Sequence, residues 1–246
     1  MTQEFKPPYV SPADMAHALQ QQGFALMDAA GVAQWLQADP ADFEALTAPW
    51  DRLVPDAYLK DGGRYRKRRH SCFVVDGPQV RQVPHRAHWQ PLEYNALHGG
   101  MQRWFEPMEP QQVAQPLWQR LLQRLGEAAS NLRGARPWFV EAHPFRIDTT
   151  DGIGRPTPEG AHRDGVDLVA VFLVGRHAIK GGESRVFEAE GPAGQRFTLR
   201  EPWSLLLLDD ARVIHESTPI QPLDPEGFGW RDTLVVTCRA GGFQGD

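Results

Sequence analysis

Cysteine is nearly absent. There are two residues, Cys72 and Cys238, far apart and without a CxxC pair. That argues against a disulfide framework or a structural zinc site, and a reducing compartment is expected. No run of about 18 apolar residues occurs, so no helical membrane span is expected. The start, "MTQEFKPPYVSPADM", lacks a basic stretch followed by an apolar one, so no signal peptide is expected and the location is expected to be cytoplasmic. Positive charge is not in excess: 26 Lys and Arg against 31 Asp and Glu give a net charge of −5, which offers no electrostatic case for nucleic acid. Repeats, low-complexity segments and Gly/Ser-rich linkers are missing too. With 246 residues, a single domain spanning 1–246 is expected.

Proline and glycine, 21 and 23 residues, punctuate the chain throughout. "SPADMAHALQQQG" reads as a helix with Ser11 at the N-cap, Pro12 in the first turn and Gly23 as the stop. "FALMD" after it is strand-like, and "GVAQWLQADPADFEALTAPW" offers one or two short helices with Asp39 or Asp42 as caps. "QQVAQPLWQRLLQRLGEAASNL" is the strongest helix, with Leu117, Leu121, Leu122 and Leu125 on one face. From Trp138 the texture changes to short β-type runs: "WFVEAHPFRID", "VDLVAVFLV", "SRVFE", "RFTL", "SLLLLDD", "RVIHES" and "DTLVVTCR". Such runs between turns predict a sandwich or barrel. The expected organisation is a mixed helical and β part, 1–135, packing on a β-core, 136–240.

The chemistry begins in "EGAHRDGVDLV". His162 and Asp164 are two apart at the head of a β-type run, so they share a face if the strand begins there. Alone, the pair reads more readily as polar residues solvating a strand end. "SLLLLDDARVIHESTPI" brings a third candidate, His215, just after an apolar strand and a turn. Two histidines and one carboxylate are the facial triad of non-haem iron(II) oxygenases. Three ligands occupy one face of an octahedron and leave three positions open for a chelating co-substrate and O2. In "GWRDTLVVTCR", Arg231 opens the last strand and Thr233 shares its face. An arginine fork binds a carboxylate through two parallel hydrogen bonds.

The order His162-x-Asp164, His215, Arg231 resembles the Fe(II)/2-oxoglutarate-dependent dioxygenases, and "IKGGESRVF" is similar to a turn those enzymes often carry. More narrowly, "TPEGAHRDGVDLV", "GGES", "HESTPI" and "WRDTLVVT" resemble the bacterial isoleucine 4-hydroxylase-like subfamily, which hydroxylates free L-amino acids. "RYRKRRHSCF", "YNALHGGMQRWFEP" and "VEAHPFRID" are similar too, so the resemblance covers roughly residues 55 to 240. It implies a mainly β fold with flanking helices around a double-stranded β-helix, a cupin-like jelly roll. It implies Fe(II) on His162, Asp164 and His215, with 2-oxoglutarate on Arg231 and Thr233. O2 would be the second co-substrate and ascorbate the reductant in vitro. The reaction implied is hydroxylation of a small molecule with release of succinate and CO2.

Other residues carry weaker signals. An arginine of "RYRKRRH", or Arg146 in "PFRID", is a candidate for a substrate carboxylate, and Glu159 for its ammonium group. "RYRKRRH" reads more readily as a solvated strand or loop, with one of its arginines pairing a carboxylate, than as an anion or nucleic-acid patch. Tyr94 and Asn95 are candidates for the mouth of the site. His143, two residues from Glu141, is the competing ligand, while the spacing of His70, His85, His88 and His98 matches no metal motif. Apolar residues such as Phe172 and Leu206 are candidates for packing around the metal. Two other functions stay open: the same chemistry on a protein or nucleic-acid side chain, and a non-catalytic metal-binding cupin-like barrel.

Overall fold

Two eleven-residue strands, Trp138–Asp148 and Trp230–Ala240, form the spine of the computed structural model, which describes residues 6–95 and 97–245. They run antiparallel from Trp230 opposite Asp148 to Ala240 opposite Trp138. Beyond Trp230–Ala240 follow Leu168–His177, Ser204–Asp209 and Phe24–Met27. Beyond Trp138–Asp148 lie Arg66–Arg68 and Ser71–Asp76. Among the described residues this sheet has nine strands, and a second has three, ordered Gly194–Phe197, Ser184–Glu188, Val213–Ser217. Two antiparallel sheets packed on each other make the expected double-stranded β-helix.

Alternation along the strands divides the molecule into layers. Leu205, Leu207, Leu168, Ala170, Phe172, Leu234, Val236, Val140 and Ala142 face one way, into a core shared with the helices. Leu206, Leu208, Val169 and Leu173 face the other way and meet Val186, Phe197 and Val213 of the second sheet. Phe172, a candidate for the metal's surroundings, therefore points to the helix layer. Leu206 lies between the sheets but does not line the cavity described below.

The longest helix, Pro116–Arg133, buries Leu117, Trp118, Leu121, Leu122 and Leu125 against the sheet. Each such side chain contributes about 1.5–3 kcal/mol relative to exposure. A Cβ at Gly126 would stand 2.7 Å from Val75 Cγ1, so only glycine allows this approach of helix to sheet. The first helix, Met15–Gln22, starts later than the sequence suggests, because Ser11 and Asp14 bond to each other in a preceding turn. It ends as expected at Gly23, φ 80°. Ala29–Leu36 is capped by Asp28, whose carboxylate accepts from Gly31 N–H at 2.7 Å. Pro40–Thr47 follows Asp39, whose N–H donates to Asp42 at 3.1 Å. Among the described residues no helix is long and apolar enough to cross a membrane.

Candidate metal centre

Backbone pairing brings the two histidines of the triad side by side. His162 N–H donates to His215 C=O at 3.1 Å and His215 N–H to His162 C=O at 2.9 Å, an isolated antiparallel bridge. His215 is on strand Val213–Ser217, while His162 and Asp164 are on the loop before Leu168–His177. That loop is pinned by Asp210. Its carboxylate accepts the N–H groups of Asp164, Gly165 and Val166 at 3.0, 2.7 and 3.0 Å.

One ligating atom each from His162, Asp164 and His215 lie within 4.8 Å of one another. His162 Nε2 is 3.7 Å from Asp164 Oδ1, and His215 Nε2 is 3.8 Å from Asp164 Oδ2. Neighbouring ligands about 2.1 Å from a shared ion are about 3 Å apart, so closure by no more than about 2 Å brings one atom of each residue into range. His162 Nδ1 lies 2.9 Å from the Gly160 carbonyl. A carbonyl only accepts, so Nδ1 carries the proton and Nε2 presents its lone pair to the ion. Burial opposes the charged form of His162, but Asp164 and Glu159 outweigh it and its pKa is raised. His215 is pushed down to about 3, by burial first and then by the charge of His162, and stays neutral. Its Nδ1 is buried without a partner. The donor set, two imidazoles and a carboxylate, suits a divalent metal such as Fe(II).

A cavity of about 140 Å³ adjoins the triad. His162, Asp164, His215, Arg231, Thr233, Glu159 and Asn95 all line it. Arg231 is 3% exposed and its Nε and Nη2 groups have no acceptor, so a buried guanidinium stands ready for an anion. Burial, then Arg176, depresses its pKa to about 10. The two glycines of "GGES" make the room. Gly181, φ 81°, would drive a Cβ to 2.1 Å from Pro219 O, and a Cβ at Gly182 would press on the Arg231 side chain at 3.4 Å.

Arg146 and Tyr94 do not line the cavity. Arg146 lies opposite Asp232 in the register, on the outer face, and donates to it at 2.8 and 2.7 Å and to Asp51 at 3.0 Å. The pleat decides this: odd residues of Trp138–Asp148 and Trp230–Ala240 face inward and even residues outward. The Tyr94 ring packs on Gly165, where a Cβ would meet it at 2.3 Å. Glu159 Oε1 is 3.6 Å from His162 Nε2, and its Oε2 is buried without a partner.

His143 belongs to a separate buried group with His70, His88 and Glu141. Glu141 Oε2 accepts from His70 Nε2 at 2.9 Å and from His88 Nδ1 at 2.6 Å. Arg68 Nη2 lies 2.6 Å from His143 Nδ1. Arginine only donates, so the His143 proton sits on Nε2, leaving no lone pair there for an ion. Burial pulls all three histidine pKa values down, His88 to about 4. Of the first-half histidines, His70 and His88 thus converge with Glu141 although their spacing matched no metal motif, while His85 bonds to the Phe105 carbonyl and His98 lies against the Lys60 N–H. As placed here, the group is a hydrogen-bonded set of neutral imidazoles around a carboxylate. Sequence reasoning also passed over Asp210, Gln90 and Arg103, and its solvated reading of "RYRKRRH" fails for Arg66 and Arg68, which are buried on the inward face. The i, i+2 spacing of Arg66 and Arg68 is the one available signal for those two.

A family model described as 2OG-Fe dioxygenase matches residues 47–237. No curated protein matches the chain. Among solved structures, the chain is similar to a bsmA homolog from Methylobium petroleophilum PM1, at 51% identity over 99% of each chain, with a TM-score of 0.92. IDO from Bacillus thuringiensis is similar at 18% identity over 98% of this chain and 100% of that one, TM-score 0.76. The Fe(II)/(alpha)ketoglutarate-dependent dioxygenase TqaL is similar at 19% identity over 95% of this chain and 88% of that one, TM-score 0.74. The latter two likenesses are of fold.

Proposed function

The chain belongs to the 2OG-Fe dioxygenase family, and from that premise we propose that it hydroxylates a free L-amino acid at a site held by His162, Asp164 and His215. As a member it is a non-haem iron dioxygenase that uses Fe(II) and 2-oxoglutarate. Bound together with O2, these supply the oxidising chemistry: 2-oxoglutarate becomes succinate and CO2, and one oxygen atom passes to the substrate.

The observation that carries the site assignment is the convergence of three ligating atoms, with the His162 tautomer set by Gly160, at the edge of a cavity whose far wall is cationic. In this assignment His162 Nε2, Asp164 and His215 Nε2 hold the metal. Arg231 takes the distal carboxylate of 2-oxoglutarate with its two unpartnered N–H groups, and the Thr233 hydroxyl adds a contact. Phe145, Ile147, Val171 and Val235 line the space between and keep water from the reacting carbon. The free amino acid is supported by the mixed wall, which offers arginines for a carboxylate and glutamates for an ammonium group.

The test is succinate formation from 2-oxoglutarate with Fe(II), ascorbate and O2, run against the twenty free L-amino acids, with His162→Ala as control. Succinate tied to one or a few amino acids and lost in the control is the expected result. Turnover that needs His162 but is stimulated by no amino acid would overturn the substrate assignment alone. Undiminished turnover in His162→Ala would overturn the site.

A further inference from the structure

Three arginines crowd the cavity wall away from the triad. Arg66 and Arg68 lie opposite Ile147 and Phe145, which in turn lie opposite Arg231 and Thr233. They therefore share the inward face with Arg231 from two strands away, about 10 Å at the backbone. Arg103 joins them from a bridge in which it and His88 exchange backbone hydrogen bonds of 2.9 and 3.0 Å. All three are buried, at 6%, 3% and 2% exposure.

Their counter-charge is incomplete. Asp56 accepts from Arg66 at 2.7 Å and is 3.9 Å from Arg68. Arg103 donates to the neutral amide of Gln90 at 2.9 Å. Arg66 Nη2, Arg68 Nε and Arg103 Nε are buried without an acceptor. Burial, and then Arg66, pushes Arg103 down to about 10, as expected where like charges lack a partner. Arg68 cannot swing out to water, because its guanidinium is held between the rings of Phe105 and Phe145, 3.8 and 4.2 Å from their centroids. Stacked, buried, unsatisfied guanidinium groups beside a cavity are arranged for an anion that enters it.

A fixed carboxylate stands nearby. Glu141 lines the same cavity, with Oε2 taken by His70 and His88. Arg68 is 2.6 Å from one nitrogen of His143, and Glu141 is 3.7 Å from the other. Across one imidazole, Arg68 and Oε2 of Glu141 are thus at most about 8.5 Å apart. That is the span of an α-carboxylate and its α-ammonium, each with a hydrogen bond of about 2.8 Å. Glu159 fits this role less well, since it is 3.6 Å from the metal-facing nitrogen of His162.

We infer that this wall is the head-group site of a free α-amino acid: Arg66, Arg68 and Arg103 take the carboxylate and Glu141 takes the ammonium group. The inference rests on the amino-acid assignment above and adds where the reaction falls. Gln90 accepts from Arg103 through Oε1 and donates from Nε2 to Asp164 at 3.3 Å, so a single amide separates the head-group site from a metal ligand. A substrate anchored on the arginines turns its side chain to the triad. Oxidation then falls on a side-chain carbon, and a peptide, whose carboxylate or amine is blocked, is rejected.

The experiment is anaerobic calorimetry on the protein loaded with Fe(II) and 2-oxoglutarate, titrated with each of the twenty L-amino acids. The one that binds is then compared with its 2-hydroxy acid and its amide in wild type, Arg103→Gln, Glu141→Gln and Glu159→Gln. Losing a charge-assisted contact at Arg103 weakens the amino acid about 10- to 100-fold, while the affinity for 2-oxoglutarate moves less than about twofold. Glu141→Gln abolishes the preference for the amino acid over its 2-hydroxy acid, and Glu159→Gln keeps it. Arg103→Lys, which retains the charge and gives up the fork, serves if Arg103→Gln fails to fold by circular dichroism. Unchanged amino-acid affinity in the folded Arg103 variant and in Glu141→Gln would overturn the head-group site and leave the amino-acid assignment standing. Loss of preference in Glu159→Gln alone would overturn the role of Glu141. Binding of no amino acid to wild type would overturn the amino-acid assignment and the head-group site with it.

Discussion

Asp210 carries no ligating atom, yet its replacement is expected to weaken metal binding more than it weakens the fold. Its Oδ2 accepts from Gly165 and Val166 at 2.7 and 3.0 Å and its Oδ1 from Asp164 at 3.0 Å. Hydrogen bonds to a charged acceptor contribute about 1.5–3 kcal/mol each. In Asp210→Asn the amide oxygen keeps at most the two bonds of Oδ2, weakened by the loss of charge. The amide NH2 then faces the Asp164 N–H, donor against donor. The lost bond and the weakened pair together amount to about 2–4 kcal/mol against the ordered loop. The apo fold feels less than this. Burial, and then the charge of Asp164, raise the Asp210 pKa, so neutralising Asp210 relieves a repulsion when no ion is present. The bound ion benefits from the negative charge and needs the loop, so the full penalty falls on the loaded state. At 1.4 kcal/mol per decade, the expected loss of affinity is about 30-fold or more. Co(II) titration followed by visible absorption measures it, with thermal melting of the apo protein in parallel. A variant that binds Co(II) within twofold of wild type would refute the view that these three bonds position Asp164.

Three further outcomes are expected. His162→Ala and Asp164→Ala lose the metal and succinate formation but keep the circular dichroism spectrum; retained stoichiometric metal in either would remove that residue from the ligand set. Arg231→Ala raises the KM for 2-oxoglutarate about 100-fold, since a buried bidentate contact is lost; a change confined to the KM of the amino acid would move Arg231 to the substrate site. Stability falls as pH drops from about 6.5 towards 4, because His88 titrates at about 4 in the fold, after burial, and near 6.5 when unfolded. Protons therefore favour the unfolded chain in that window, and His88 alone contributes up to about 3 kcal/mol of the loss. Melting temperatures at pH 7 and 4.5 in wild type and His88→Asn check this, and an equal drop in both would exclude His88 as a source.

What the sequence made legible is what local pattern encodes. The His162-x-Asp164 pair, His215 beyond an apolar strand, and Arg231 with Thr233 two residues on are short-range signals, and the fold brings them to one cavity. A β-rich sandwich or barrel followed from short apolar runs between turns, and the resemblance narrowed it to a double-stranded β-helix. What stayed hidden depends on facing and on long range. Arg146 and the Arg66–Arg68 pair looked alike as cations on β-type runs. A strand pattern alone does not say which parity faces inward until its neighbours are paired. The register settles it: Arg146 opposite Asp232 turns out, while Arg66 opposite Ile147 turns in. His70, His88 and Glu141 come from three separate segments and have no common spacing. Gln90 and Arg103 lie in an irregular stretch with no period to read. Asp210 was half of a double aspartate at a strand end, indistinguishable from a polar turn until three N–H groups were seen to point at it.

The two polar ends of the cavity differ in a way that bears on how the reaction is confined. Arg231 reaches the inward face from the central strand, with glycine turns clearing its path, and two of its guanidinium nitrogens are buried without an acceptor. The second arginine group sits two strands over, with the apolar pair Phe145 and Ile147 between. At this register the inward side chains of the strand between, Phe145 and Ile147, offer only carbon, so a charged group is better satisfied at either end. Two carboxylates entering the cavity are therefore kept apart without a gate. In the proposed assignment, the part of the substrate lying over Phe145 and Ile147 is its least polar part, and that is where a C–H bond is found.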